Sequence, residues 1–303
     1  MYQMNEDRLL SILLRQGDIR VIAISGRDMV EEARRIHSLS RVCTAALGRQ
    51  LMATAMMASQ LKHESESLTT IFRGDGPAGN LVCTGRYGGL VKGYIANPSV
   101  ELPLTAEGKL DVAGAVGRTG TLTVVRDLSL REPYVGGCDI VSGEIAEDFA
   151  QYFAVSEQQP SLVYLGVRVR PGDGAVLAAG GIIAQPMPGC PEEYVDELQA
   201  LAGSIGELTE RLEQGEKLEH AMDAMFGHME PEMVGTLTPC WQCDCSRART
   251  ERALIALGRE ELTDMIERDG GAELTCQFCN EAYGFTADDL SALLEEAGGA
   301  GGS

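Results

Sequence analysis

The residues best suited to chemistry are five late cysteines spaced C-x2-C-x-C-x30-C-x2-C: Cys240, Cys243, Cys245, Cys276 and Cys279. Two close pairs separated by a helix-length insert can bring four thiolates around one tetrahedral Zn2+ at ~2.3 Å. The insert, SRARTERALIALGREELTDMIERDGGAEL, has helical periodicity and a stop signal at Gly270-Gly271, so it can fold the pairs together. A domain this small has little core, and structural zinc supplies an apparent ~10–16 kcal/mol of folding free energy. A purely structural zinc site would satisfy two C-x2-C elements. The C-x-C element adds something else: a disulfide closed across one intervening residue is strained, and strained disulfides are the labile, regulatory ones. Thiolates held by a metal are also the form that oxidants attack. Oxidation of such a site expels the metal and removes the domain's main support.

Other chemistry is absent. RGDGPAGN places Gly74, Gly76 and Gly79 in G-x-G-x-x-G spacing, but the residues that follow, NLVCTGRYGG, read as another strand. A dinucleotide site needs a helix to open there, so a glycine turn is expected. There is no G-x-x-x-x-G-K-[ST] and no G-x-S-x-G. His37, His63, His220 and His228 stand apart from any nucleophile pattern. No enzyme is indicated. Cys43, Cys83, Cys138 and Cys190 are single, and the first three lie among apolar or small neighbours, as small buried hydrophobes do.

The elements that must position the late cysteines fall into blocks. IRVIAIS (19–25) reads as a strand, and Met29 to Lys62 as one or two helices rich in Ala, Leu, Met and Arg. Short β-like runs broken by glycines follow: LTTIF, NLVCT, GLVKGYIA, KLDVAGAV, TLTVVRDL and VGGCDIV. GEIAEDFAQYFAVSEQQP (143–160) is a helix closed by proline, and LVYLGVRV and AVLAAGGIIAQ return to strand. Adjacent strands with helices set apart predict an α+β domain with antiparallel-type sheets over residues 1–185.

PMPGCP (186–191) opens a helical linker over 186–238. Tyr194, Leu198, Leu201, Ile205, Leu208 and Leu212 form one apolar stripe at helical spacing, and Leu218, Ala221, Met222, Met225 and Phe226 a second. Twelve Asp/Glu against Arg211 and Lys217 crowd residues 192–232, and Gly203, Gly206 and Gly215 weaken the first helix by roughly 1 kcal/mol each. The expectation is a marginal acidic segment whose apolar stripe can be uncovered. A zinc-binding domain over 239–294 and a flexible tail over 295–303, AGGAGGS at its end, complete the chain.

The 303 residues carry 45 acidic against 25 basic side chains, a net charge of -20, which repels phosphate backbones and anionic membranes. Residues 1–17 have no basic n-region, apolar h-region or small-residue cleavage site, and no apolar run approaches the ~18 residues that cross a bilayer. A cytoplasmic protein is expected, and nine cysteines in that compartment point to metal or redox chemistry rather than structural disulfides.

WQCDCSRAR…LTCQFCNEAYGF resembles the C-terminal zinc centre of the bacterial redox-regulated thirty-three-kilodalton heat-shock holdase family. GDGPAGNL, KGYIANP, GEIAEDFAQYFAVSEQQP, LGV and AGGIIAQPMPG resemble that family's N-terminal domain, in the same order, over nearly the whole chain. The resemblance implies one Zn2+ per chain on Cys243, Cys245, Cys276 and Cys279 in an inactive, reduced state. It implies that oxidation forms disulfides 243–245 and 276–279, releases zinc, and unfolds the zinc domain and linker. The protein would then hold unfolding client proteins without ATP, as a homodimer. Cys240 departs from the family pattern: it either competes with Cys245 for zinc through a C-x2-C of its own or gives a third oxidation partner.

Two rival functions have weaker support. A structural zinc ribbon that binds nucleic acid would need a basic patch, whereas residues 240–285 hold five arginines, no lysine and nine Asp/Glu. A thiol–disulfide oxidoreductase using Cys276 and Cys279 would need a βαβ context, which is not evident here.

Overall fold

The structure is a computed structural model describing residues 7–299, and the chain forms two compact units that meet in sequence between Gln242 and Cys243. No helix among the described residues is long and apolar enough to cross a membrane.

The larger unit holds strands β1 (Arg8–Leu14), β2 (Ile19–Ser25), β3 (Ser67–Gly74), β4 (Leu81–Arg86), β5 (Leu90–Ile95), β6 (Gly120–Asp127), β7 (Tyr134–Asp139), β8 (Leu162–Val169), β9 (Val176–Pro186), β10 (Glu232–Leu237) and β11 (Cys240–Trp241). Its helices are α1 (Arg27–His37), α2 (Arg41–Ala58), α3 (Val112–Val116), α4 (Ala146–Val155), α5 (Glu192–Ala200), α6 (Ala202–Ile205), α7 (Leu208–Glu213) and α8 (Leu218–Phe226). The strands make a five-stranded sheet, β10-β1-β2-β9-β8, and a six-stranded sheet, β11-β5-β4-β3-β6-β7. Every pairing in them is antiparallel except that of β11 with β5. The expected α+β class with antiparallel sheets is what the chain builds.

Helix α2 touches strands of both sheets and is buried almost all round, as its even spread of Ala, Leu and Met requires. Ser40 caps it, its hydroxyl accepting from the Cys43 backbone N–H at 3.2 Å. The helix lies close on the strands because they offer glycine: a Cβ at Gly85 would stand 2.6 Å from the Ala58 Cβ. Around α2 lies the main core, where the Phe72 and Phe149 rings meet edge-on at 5.6 Å.

The other face of the five-stranded sheet is also dry. In β2, Ile22 and Ile24 point into the main core, while Ile19, Val21 and Ala23 belong to a second apolar cluster with Leu10, Ile12 and Leu14 of β1. That cluster is closed by Leu198, Ile205, Leu208, Leu218, Met222, Met225 and Phe226 from α5, α6, α7 and α8. Strand alternation therefore delivers two apolar faces, one to the body of the fold and one to the acidic segment.

The smaller unit contains α9 (Arg247–Leu257), α10 (Arg259–Asp264), the hairpin β12 (Gly271–Thr275) and β13 (Ala282–Thr286), and α11 (Ala287–Gly299). A π-helical turn, Met265–Asp269, follows α10 and ends at Gly270 with φ 68°, the predicted stop. Its buried apolar residues are Leu254, Leu262, Phe285, Leu290 and Leu293.

Several expectations are corrected. KLDVAGAV is not a strand: Asp111 accepts from the Gly114 N–H at 2.8 Å and starts α3, a local cap overriding β-branched propensity. The stripe 194–212 lies on three short helices rather than one, with breaks around Leu201 and from Gly206 to Glu207, although it still faces one cluster. The interval taken as helical linker ends in a strand, β10, which joins the sheet beside β1. Glu295, Glu296 and Ala297, expected in a flexible tail over 295–303, instead continue α11 to Gly299, and the rest of that interval, 300–303, lies outside the described residues.

Candidate metal centre

Cys243 and Cys245 stand on the segment that leads into α9, whose N-terminus is capped by the Ser246 hydroxyl accepting from the Arg249 N–H at 3.3 Å. Cys276 and Cys279 stand in the turn of the β12–β13 hairpin. There the Cys276 N–H donates to the Glu281 carbonyl at 2.9 Å, and the Asn280 N–H to the Cys276 carbonyl at 2.8 Å. Asn280 takes a left-handed φ of 61°, a conformation asparagine tolerates, and this lets the turn present both sulfurs to one side.

The helical insert brings the two pairs together. The four sulfurs all lie within 4.8 Å of one another, with Cys243 to Cys276 at 3.7 Å and Cys245 to Cys279 at 3.3 Å. A tetrahedral ion bound at ~2.3 Å by four thiolates separates its sulfurs by about 3.8 Å, so the spacing fits such an ion. The donor set fits too: four thiols, no carboxylate and no imidazole, the soft set that suits zinc.

Electrostatics distinguish Cys243, Cys245 and Cys279 from one another. Burial pushes the Cys243 thiol up. Burial acts the same way on Cys245, but hydrogen bonds from the Tyr283 hydroxyl, at 3.2 Å, and from the neighbouring thiols outweigh it and bring that thiol below its usual value. Cys279 goes strongly up through burial, together with contacts to the other thiols. Of these three thiols Cys245 takes negative charge most readily, and Tyr283 is its donor. Tyr283 sits on β13, opposite Leu274 of β12. Arg247 braces the same corner: its guanidinium donates to the Gly284 carbonyl at 2.7 Å, pairs with Asp289 at 3.1 Å and lies 4.3 Å from the centre of the Phe285 ring. Neither Tyr283 nor Arg247 was legible as a site residue, since nothing in their spacing sets them apart from ordinary strand and helix positions.

Cys240 is not one of the four. It is exposed on β11, paired through its backbone with Leu90, and its thiol is raised by partial desolvation and by Asp7. Cys43 and Cys83 are buried thiols pushed up by burial, and half-buried Cys138 is pushed up to about 11 by the same cause, as expected of packing residues. Gly74, Gly76 and Gly79 form a turn between β3 and β4. A Cβ at Gly74 would lie 2.0 Å from the Val116 carbonyl oxygen and one at Gly76 2.3 Å from that of Ala115, so these two glycines admit a neighbouring backbone rather than a phosphate, while Gly79 turns the chain at φ 68°.

Comparison with known proteins gives the same picture over the same length. The model of the family described as Hsp33 protein matches residues 7–286. A 33 kDa chaperonin of Clostridioides difficile (strain 630) is 42% identical over 96% of this chain and 99% of its own. The 33 kDa chaperonin of Caldanaerobacter subterraneus subsp. tengcongensis is 41% identical over the same shares. Among solved structures, the 33 kDa chaperonin (heat shock protein 33 homolog) from Thermotoga maritima superposes with a TM-score of 0.84 at 38% identity, covering 96% of this chain and 98% of that one. Relatives that share sequence and fold from end to end make this chain a member of the Hsp33 protein family.

Proposed function

We propose that this protein is a redox-regulated holdase that binds unfolding proteins without ATP and is not an enzyme. The observation that carries the reading is the four-sulfur cluster in a unit whose buried core, among the described residues, consists of Leu254, Leu262, Phe285, Leu290 and Leu293. So small a core leaves the fold dependent on a metal. Zinc is the ion the thiol set favours, one per chain on Cys243, Cys245, Cys276 and Cys279. When bound, it holds the thiolates together and supplies the unit's folding free energy.

Oxidation joins Cys243 to Cys245 and Cys276 to Cys279: each pair of thiolates gives two electrons to an oxidant such as peroxide, which takes up two protons from solvent and leaves as water, and with all four sulfurs tied up the single ion is released. The unit then loses its support. Helices α5 to α8 cover Leu10, Ile12, Leu14, Ile19 and Val21 in the reduced protein, and their departure uncovers a continuous apolar face. The acidic residues of 192–232 keep the opened protein soluble. A cytoplasmic location and a homodimeric active form belong to the same reading.

Light scattering from a heat-unfolding client tests it, with the protein added either reduced and zinc-loaded or after peroxide at elevated temperature. Suppression by the oxidised form alone supports the switch. Equal behaviour of the two forms makes the zinc purely structural and removes the redox reading.

A further inference from the structure

Residues 232–242 form a strap that covers one edge of each sheet. Strand β10 lies antiparallel on β1, pairing Leu9 with Leu237 and Leu13 with Glu232, and β11 lies parallel on β5, pairing Cys240 with Leu90 and Trp241 with Val91. The last hydrogen bond runs from the Gln242 N–H to the Val91 carbonyl at 2.7 Å, and the next residue in the chain is Cys243.

The strap fits its berth poorly. Its register on β1 breaks between Ser11 and Ile12. Met233 and Val234 are exposed, and the buried Nε1 of Trp241 has no hydrogen-bond partner among the described residues. Leu237 and Trp241 pack against the main core, four positions apart, with the buried Pro239 between them. What holds it is mostly backbone pairing, the kind of contact that any extended chain can replace.

We propose that the edges of β1 (residues 9–13) and β5 (residues 90–91) are docking lines for an extended apolar segment of an unfolding client, and that the strap is their resident placeholder. The inference rests on the holdase reading above, in which loss of the zinc unit frees the chain that follows Gln242. Strand addition to an open sheet edge satisfies backbone groups whatever the incoming sequence, which suits a binder of many clients. The berths vacated by Leu237 and Trp241 favour two bulky apolar residues about four positions apart. A second copy of the chain is the poorer occupant, because each copy carries a net charge of -20.

The test uses the full chain with Cys240, Cys243, Cys245, Cys276 and Cys279 changed to Ser, which removes the zinc ligands and leaves that unit unsupported whatever the redox state, together with Ser11→Cys and Gly235→Cys. A Cβ at Gly235 would lie 3.6 Å from that of Ser11, within disulfide reach, so oxidation locks the strap onto β1 and dithiothreitol frees it. Client holding should fall about tenfold on locking and return on reduction, and a short peptide carrying Leu and Trp four positions apart should slow amide exchange at residues 9–13 and 90–91 of the freed protein. Equal holding by locked and freed forms overturns the proposal. So does a lock effect without protection of those amides, which would assign the effect to the helices, and so does protection without peptide accompanied by dimerisation. If the freed variant holds no client but the peptide still protects the edges, the holdase reading fails while the docking lines stand.

Discussion

Arg15 grips Glu197 with both ends of its guanidinium, Nη2 lying 2.7 and 2.8 Å from the two carboxylate oxygens and Nε 3.3 Å from one of them. The same guanidinium stands 5.1 Å from the centre of the Tyr194 ring, and His228 Nε2 reaches Glu197 at 3.5 Å. Arg15 and Gln16 occupy the tight turn between β1 and β2 with φ of 51° and 58°, a left-handed conformation that side-chain-bearing residues adopt at a cost. The turn thereby aims a cation at the first helix of the acidic segment, where twelve carboxylates otherwise repel one another.

Replacing Arg15 by Ala should therefore loosen α5 while leaving the four-sulfur cluster intact. Amide exchange across residues 192–200 is expected to quicken severalfold in the reduced protein, with zinc affinity unchanged. Exchange equal to that of the parent would mean that the apolar stripe alone holds the helix.

Tyr283→Phe removes the hydroxyl that donates to the Cys245 sulfur at 3.2 Å and keeps the ring. Partners that hydrogen-bond to a metal ligand tune the site, so zinc affinity should fall about 10-fold in competition with a chromophoric chelator. Unaltered competition would make that hydroxyl a bystander.

Gly85→Ala tests the close approach of α2. The added Cβ would stand 2.6 Å from that of Ala58 and 3.1 Å from the Thr54 carbonyl oxygen, both on the buried helix α2. Overpacking of this kind costs about 1–3 kcal/mol, to be read from the denaturant midpoint of the larger unit.

Asp7 gives a pH signature. Its buried carboxylate accepts from the N–H groups of Asp28 and Met29 at 3.1 and 2.8 Å, at the start of α1. Burial pushes its pKa up to about 7, against those two hydrogen bonds. The folded state then binds more protons than the unfolded one between about pH 4 and 7, so this group's contribution is full below pH 4 and is lost as pH rises through 7. Relative to Asp7→Asn, the parent should lose as much as about 4 kcal/mol over that interval. Parallel stability curves for the two proteins would contradict it.

Much of the site was legible because metal ligation is local in sequence. C-x-C and C-x2-C each place two sulfurs on one short turn, and a helical insert with a glycine stop is enough to bring the turns together. Spacing alone left open which of Cys240 and Cys245 joins the cluster, since both stand two or three residues from Cys243; the family resemblance pointed to Cys245, and the fold groups that one with the others. The pairing of Cys240 with Leu90 on β11 separates them, and that pairing depends on a strand far away in sequence. Strand β1 was overlooked because RLLSILL is nearly continuous apolar sequence without alternation. It is covered on both faces, and only the fold says so. The one long stripe expected at 194–212 was right about which side chains are buried and wrong about continuity, since sheet packing tolerates three short helices where an isolated helix would fray.

By itself, the sequence determined that two close cysteine pairs could share one ion, the α+β class, and the apolar stripes of the acidic segment, all of which follow from spacing within a few turns of chain. The tertiary structure decided what those stripes cover, that residues 232–242 pair with β1 and β5, and that Tyr283 and Arg247 brace the cysteine cluster. Those outcomes depend on contacts between residues far apart in the chain, such as Leu9 with Leu237 and Val91 with Trp241. Periodicity records that a residue will be buried; only the closed fold specifies against what.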